Sequence, residues 1–371
     1  MSKIPTTMRA LVAPRYCAPS QFELRDIPVP SITKPKDVLI RVHAAGIQRG
    51  DMLRVRGAGR LVPGTPTFPM TMGMEGSGVV AAVGSAVTTV KPGDAVYGYC
   101  ISSRPMDLFA QVGFAAEYAL APEGLLLPKP AHITHKEAAS LLGFLTAFQA
   151  IDDGVRMLAE NGVVADGLRG KTVFVPGALS ATGAAAIQLL KRHYGVGRVV
   201  SSASTAKLPL VERYLPGLVD ELVDYTSKRS LADLVAPGSV DFVYNTQWGV
   251  VGTFALVRPD RGVVVSIASV PPPGLLRQML HGLPFWVLWI AGLAQWYYAF
   301  RLRGTGIRHR FTSGDLGVRA DLERAGKFVA DGKATSVRRE VELGDLEGCR
   351  RECEKVASGK GGIGKLVIKI A

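Results

Sequence analysis

The stretch "TVFVPGALSATGAAAIQLLK", Thr172 to Lys191, decides how this chain folds. Its opening residues, "TVFV", are a short apolar run of strand character, and "ATGAAAIQLLK" carries small and apolar residues at helical spacing. Between them lies a turn bounded by Gly177 and Gly183, with Ser180, Ala181 and Thr182 inside it. A buried strand running through such a turn into a helix suits the pyrophosphate of a dinucleotide. Short side chains let the backbone approach, and the helix N-terminus offers N–H groups and the positive end of its dipole. The bare spacing G-x-x-x-x-x-G also describes an ordinary strand-to-helix turn.

Downstream, "GRVVSSAS", "LVDYT", "VDFVYNT" and "GVVVSIAS" are further apolar runs, spaced to leave room for helices between them. Strands alternating with helices predict a doubly wound parallel sheet. Just upstream, "THKEAASLLGFLTAFQAI" has Thr134 where a helix cap belongs. From residue 8 to about 135 the pattern differs. "DVLIRVHAAGI", "GVVAAVG", "KPGDAVYGY" and "AEYALAP" are strand-like and punctuated by Gly and Pro, which predicts an antiparallel, barrel-like domain. At the end, "DLERAGKFVADGK" and "DLEGCRRECEKVASGK" read as helices and "GKLVIKI" as a last strand. A chain of 371 residues is long enough for these two domains, each with its own core.

The balance of 44 basic against 31 acidic residues, a net charge of +13, points to anionic partners: a phosphorylated cofactor, an acidic membrane surface or nucleic acid. No Lys/Arg-rich tract stands out, so nucleic acid is set aside. Four cysteines without a C-x-x-C pair, and a first segment lacking the apolar run of a secretory signal, predict a reducing, cytoplasmic setting.

At the next strand end, "VVSSASTAK", an NAD-preferring enzyme would place an Asp or Glu on the ribose hydroxyls. This sequence has Ser201, Ser202, Ser204, Thr205 and Lys207, donors suited to a 2′-phosphate. NADPH is therefore expected over NADH; the plain alternative is a solvated loop with one lysine.

The ordered set "VHAAGIQRGDMLRVRG", "MEGSGVVAAVGSAVTTVKPGDAVYG", "EAASLLGFLTAFQAI", "TVFVPGALSATGAAAIQLLK", "LVDYTS" and "GKLVIKI" resembles the medium-chain dehydrogenase/reductase superfamily. It is most similar to the zinc-independent quinone oxidoreductase and enoyl reductase branch. The resemblance implies a GroES-like catalytic domain of residues 1–138 and 312–371, a Rossmann cofactor domain of 139–311, an active site in the cleft and a homodimer. It carries over cofactor contacts: Thr146 near the nicotinamide, the turn from Gly177 to Gly183 on the pyrophosphate, Lys207 and Tyr225 toward the 2′-phosphate, Asn245 beside the nicotinamide ribose, and Ile267 in the same set. The usual A-x-G-G-V-G of the branch is replaced here by Ala178-Leu179-Ser180-Ala181-Thr182-Gly183.

Zinc-dependent relatives bind their catalytic metal through a cysteine and a histidine at positions occupied here by Gln48 and Met74 of "TMGMEGSG". Asp51 and Glu75 remain, too few for a site that needs three protein ligands. The four-cysteine structural zinc cluster is absent too, only Cys100 lying in that region. No metal is expected, and conjugate reduction suits such a site. Hydride from a nicotinamide reaches an enone or a quinone, and hydrogen-bond donors steady the charge that builds on oxygen. Gln48, Tyr97 and Tyr99 are the candidate donors, each equally readable as a structural group. Asp51 reads as a buried carboxylate fixing the turn from Gly46 to Gly50. His43 and His309 read as surface or packing residues, and Cys349 and Cys353, four apart on one helix face, as two unpaired thiols. Three functions stand open: reduction of an activated C=C bond or quinone with an apolar substrate, a non-redox binding or cofactor-independent role on the same fold, and carbonyl reduction.

"LPFWVLWIAGLAQWYYAF", Leu283 to Phe300, lacks charge and holds three of the four tryptophans. On a wheel of about 100° per residue, Trp286, Trp289, Ile290, Leu293, Trp296, Tyr297 and Phe300 share one side, and Ala291, Gln295 and Tyr298 the other. Such sorting argues against a spanning helix. This insertion, near 275–305, is expected to pack on its own protein or a twin subunit, to cover the cleft over an apolar substrate, or to lie at a membrane interface through residues 283–310.

Overall fold

The computed structural model describes residues 4–61, 67–101, 113–163, 167–227 and 229–371. The chain forms two compact units, one of Met1–Leu142, Leu316–Gly332 and Ser336–Ala371, the other of Gly143–Asp315 and Lys333–Thr335.

The first unit begins with β1 (Thr7–Ala13), β2 (Glu23–Pro28), β3 (Asp37–Ile47), α1 (Arg49–Val55), β4 (Met70–Thr71), β5 (Glu75–Val83), β6 (Ala95–Tyr99), β7 (Tyr118–Pro122), β8 (Leu126–Pro128) and α2 (His135–Ser140). β3 coincides with the run "DVLIRVHAAGI" and is buried along most of its length. It pairs antiparallel with β5, with two register irregularities, and over Asp37–Arg41 also with β7. α2 starts where its cap was read. The Thr134 hydroxyl accepts from Glu137 N at 3.2 Å, and the Glu137 carboxylate accepts from Thr134 N at 2.8 Å, a reciprocal capping box.

The second unit holds α3 (Gly143–Glu160), β9 (Thr172–Val175), α4 (Ala181–Arg192), β10 (Arg198–Ala203), α5 (Leu208–Tyr214), β11 (Glu221–Asp224), α6 (Leu231–Leu234), β12 (Phe242–Asn245), β13 (Val263–Ser266), α7 (Pro273–Met279), α8 (Phe285–Arg301) and β14 (Arg308–Phe311). The strands form one parallel sheet in the order β11-β10-β9-β12-β13-β14, the doubly wound arrangement expected. Val173, Phe174 and Val175 of β9 have no exposed surface; burying each side chain contributes roughly 1.5–3 kcal/mol. β14, the basic "RHRF", lies at the sheet edge and alternates exposed with half-buried residues, so it lacks the apolar run that announces a central strand.

α8 inverts the expectation that its aromatic side packs on its own chain. Trp289 and Trp296 are 66% and 65% exposed, and Phe285, Trp286, Ile290, Leu293, Tyr297 and Phe300 are exposed beside them. The helix is held through its other side: Ala291 is buried, Gln295 Nε2 donates to Val270 O at 2.7 Å, and Tyr298 packs edge-on against Phe254.

The chain then returns to the first unit as α9 (Arg319–Ala330), β15 (Arg338–Glu342), α10 (Leu346–Ser358) and β16 (Lys365–Lys369). β16 pairs antiparallel with the C-terminal half of β3, completing a sheet of order β15-β16-β3-β5-β6-β8. Cys349 and Cys353 share the buried face of α10, unpaired, and belong to the core.

Candidate functional site

A parallel sheet of this order has its switch point between β9 and β12, where strand ends open a crevice able to hold a ligand. The stretch from Gly177 to Gly183 leaves β9 at that point. Gly177 takes φ +75°, and a Cβ there would stand 2.8 Å from Gln247 Nε2. A Cβ on Gly183 would stand 2.4 Å from the Gly177 carbonyl oxygen. Gly183 has no room for a side chain against that backbone oxygen, and at Gly177 the left-handed φ itself favours glycine. Ser180 caps α4, its Oγ accepting from Gly183 N at 3.0 Å, and Ala181 and Thr182 form the helix's first turn. Ser180 and Ala181, which stand where the related pattern has its two glycines, are half-buried at the start of α4, and the Ser180 hydroxyl is turned onto Gly183 N as the cap. Bare backbone, short side chains and a helix N-terminus fit a dinucleotide pyrophosphate.

The end of β12 closes over this turn. Thr246 Oγ1 donates to Pro176 O at 2.6 Å, and the Gln247 amide lies against Gly177. Asn245, 1% exposed, donates through Nδ2 to Gln247 O at 2.7 Å and Ser266 Oγ at 2.9 Å; Ile267 N donates back to Asn245 O at 3.1 Å. Asn245 and Ile267 are thus neighbours at the ends of β12 and β13, as a shared ligand requires. Thr146 is half-buried on α3, beside the turn at Gly314. Thr246 and Gln247 were not picked out from sequence; their signal was only their place directly after Asn245.

At the end of β10 one expected contact is corrected. Ser201 has no exposed surface and its hydroxyl donates to Val175 O, so it ties β10 to β9 and is not presented to a ligand. Its neighbour Ser202 accepts from Gly177 N at 3.1 Å. Strand alternation explains the difference, since adjacent residues face opposite sides. Ser204 precedes the short turn Thr205–Lys207, and Tyr225 N donates to Ala203 O at 3.2 Å, which brings Tyr225, 56% exposed, to the same edge. A carboxylate also arrives here. Asp224, at the end of β11, accepts from Thr205 Oγ1 at 2.5 Å and Thr226 Oγ1 at 2.6 Å, bonds that hold its pKa below the usual range. No acid was visible within the β10 segment because this one reaches the edge from the neighbouring strand.

In the other unit, Gln48 is the half-buried N-cap of α1, and its N–H donates to Asp51 Oδ2 at 2.9 Å. Asp51 Oδ1 accepts from Gly73 N and Met74 N, both at 3.0 Å, so this buried carboxylate pins the loop before Glu75 as well as the turn at Gln48. Burial pushes its carboxyl up to about 6, against the pull of Arg54 at 3.9 Å. Glu75, 1% exposed, forms an ion pair with Lys365, leaving Oε2 without a partner. Both acids are therefore committed to structure. Among the described residues no three His, Cys, Asp or Glu side chains gather as a metal-ligand set, and the two key positions carry an amide and a thioether.

The tyrosines are packed. The Tyr99 hydroxyl donates to Leu142 O at 2.7 Å, and Tyr97, 2% exposed, turns its hydroxyl toward Gly326 of α9, so that a Cβ there would lie 3.4 Å away. Burial raises both pKa values. Tyr97 is corrected accordingly to a packing residue; Gln48 is the donor of this group with surface to offer. The sequence also gave no sign that His43 and His135 stack at 4.4 Å, with His135 Nδ1 2.8 Å from Ser77 Oγ.

Residues 34–131 match the alcohol dehydrogenase GroES-like domain. Over 275 residues the chain is 33% identical to the chloroplastic NADPH-dependent alkenal/one oxidoreductase of Arabidopsis thaliana, covering 74% of this chain and 66% of that protein. Over 274 residues it is 32% identical to the 2-methylene-furan-3-one reductase of Solanum lycopersicum, covering 73% and 65%. The chain thus spans just under two thirds of the length of each relative. Among solved structures, the quinone oxidoreductase from Coxiella burnetii superposes with a TM-score of 0.72 at 22% identity, over 98% of this chain and 100% of that one.

Proposed function

The chain belongs to the medium-chain dehydrogenase/reductase superfamily, and we propose that within it this protein is an NADPH-dependent reductase of an activated C=C bond or a quinone. The observation that carries the reading is the closed turn from Gly177 to Gly183 at the switch point, with Ser204 and Lys207 at the adjoining strand end. The names of the two plant relatives support it: one is an NADPH-dependent alkenal/one oxidoreductase, the other a furanone reductase.

In this reading Gly177, Ala181, Thr182 and Gly183 hold the pyrophosphate by backbone approach and the dipole of α4. Ser204, Lys207 and Tyr225 take the 2′-phosphate, and Thr146, Asn245 and Ile267 flank the nicotinamide end. When bound, the cofactor supplies a hydride for the β-carbon of an enone or for a quinone ring. The Gln48 amide donates to the oxygen that gains charge, a task needing a fixed donor and no metal. Asp51 is a positioning residue, holding the backbone N–H of Gln48.

The test is NADPH and NADH oxidation by the purified chain against a panel of enones and quinones, beside a Lys207→Ala variant. Turnover with NADPH that shifts toward NADH in the variant supports the reading. Absence of nicotinamide binding by fluorescence titration would overturn it in favour of a non-redox role.

A further inference from the structure

We infer that the exposed face of α8 is a docking surface for an anionic lipid membrane. Three tryptophans, two aliphatic residues, Phe285, Tyr297 and Phe300 lie exposed on one side of a helix whose other side is fastened to its own unit through Ala291, Gln295 and Tyr298. Nothing in the described chain covers this face, and an apolar patch of this kind marks an interaction site.

Charge identifies the occupant. From Arg261 through Gly314 the sequence has no aspartate or glutamate, yet it carries Arg261, Arg277, Arg301, Arg303, Arg308 and Arg310. Arg308 and Arg310 are tied to Glu160 and Asp153, and Arg261 to Asp260. Arg277, Arg301 and Arg303 have no carboxylate partner among the described residues. A second copy docking face to face would bring arginines and no acid to meet them. Nucleic acid would need cations across the face, whereas from Phe285 to Phe300 there are none. An uncharged aromatic centre with arginines at its margins matches the interface between acyl chains and anionic headgroups, where tryptophan and tyrosine concentrate.

The geometry suits lying on a membrane. No helix among the described residues is long and apolar enough to cross one. Between α7 and α8 an open groove of about 420 Å³ is lined by Pro273, Phe285, Leu288, Trp289 and Leu293, with Arg277 on its wall. That is an apolar slot with a single cation, fit for one acyl chain below its headgroup.

The experiment sediments the full-length protein with vesicles of phosphatidylcholine alone or with about 30% phosphatidylserine. Expected are binding to the anionic vesicles that weakens with salt, a blue shift of tryptophan emission on binding, and loss of affinity by about tenfold or more in Trp286→Ser/Trp289→Ser/Trp296→Ser. Arg301→Glu/Arg303→Glu should remove the preference for anionic lipid. Nicotinamide binding, measured separately, should be unchanged in both variants, so this inference and the proposed reductase function can fail independently. No sedimentation with anionic vesicles, or equal sedimentation of the tryptophan variant, would overturn it. So would a dimer that the tryptophan variant splits in the absence of vesicle binding, which would make the face an interface between copies.

Discussion

Two regions of this molecule are fixed by opposite means. The corner at Gln48 and Glu75 is held by buried charge: Asp51 on three backbone N–H groups, and Glu75 on Lys365. The turn at Gly177 is held by backbone and hydroxyls, with no ionised side chain in its bonds: Ser180 on Gly183, Ser202 on Gly177, Thr246 on Pro176. A region built on buried charge spends its polar groups on itself and has few left for a ligand. A region built on glycine and short hydroxyls leaves backbone to offer, and that is where a phosphate fits. In the first region the Gln48 side chain is what keeps surface to offer, and in the second it is the backbone of the turn.

The sharpest way to break this contrast is Lys365→Met. Removing the cation leaves Glu75 ionised in the core, and a loss of about 3–5 kcal/mol in urea unfolding is expected. The double variant Glu75→Gln/Lys365→Met should recover most of it, since no charge is then left alone. If the single change costs nothing, the pair is not a scaffold.

Next in size is Gly183→Ala, whose methyl would press on the Gly177 carbonyl. A stability loss of roughly 1–3 kcal/mol is expected, together with nicotinamide affinity reduced by about tenfold or more. Loss of stability with unchanged affinity would separate the turn from the ligand.

Acid sharpens the comparison by residue. His309 packs against Tyr298 and Phe254, and burial lowers its pKa from 6.5 to about 4. A depressed folded pKa means full stability above about 6.5, lost as pH falls toward 4, because the unfolded chain takes up the proton first. Asp51, raised to about 6, has the opposite sign: its contribution falls as pH rises from about 4 through 6. Thermal melts of a His309→Phe variant should fall less steeply with acid than those of the parent.

The smallest expected effect is Asp224→Asn. Taking one negative charge from the edge beside Lys207 should tighten NADPH by about three- to tenfold and leave NADH nearly unchanged. Equal changes for both cofactors would move the 2′-phosphate away from this edge.

These two regions were not equally legible in the sequence. β9, the turn and α4 lie within one stretch of chain, so periodicity and glycine placement reached them directly. The loss of metal ligands at Gln48 and Met74 was also readable position by position. The Glu75–Lys365 pair was not, because its members are 290 positions apart and meet only through the register of β16 on β3 and β3 on β5. Tyr97 failed as a donor for a similar reason: its strand was legible, the packing of α9 against it was not. α8 shows a third limit. The wheel sorted its residues correctly, but periodicity says which side is apolar and is silent on what that side meets.

The return of β16 to β3 also has a consequence during synthesis. Glu75 is made before its counter-ion, with the whole second unit emerging between them. Until Lys365 leaves the ribosome, the nascent first unit lacks both its closing strand and the cation for an acid destined for the core. The sheet can therefore finish only once β16 has been made, and a chain stopped before Lys365 carries Glu75 without its counter-ion.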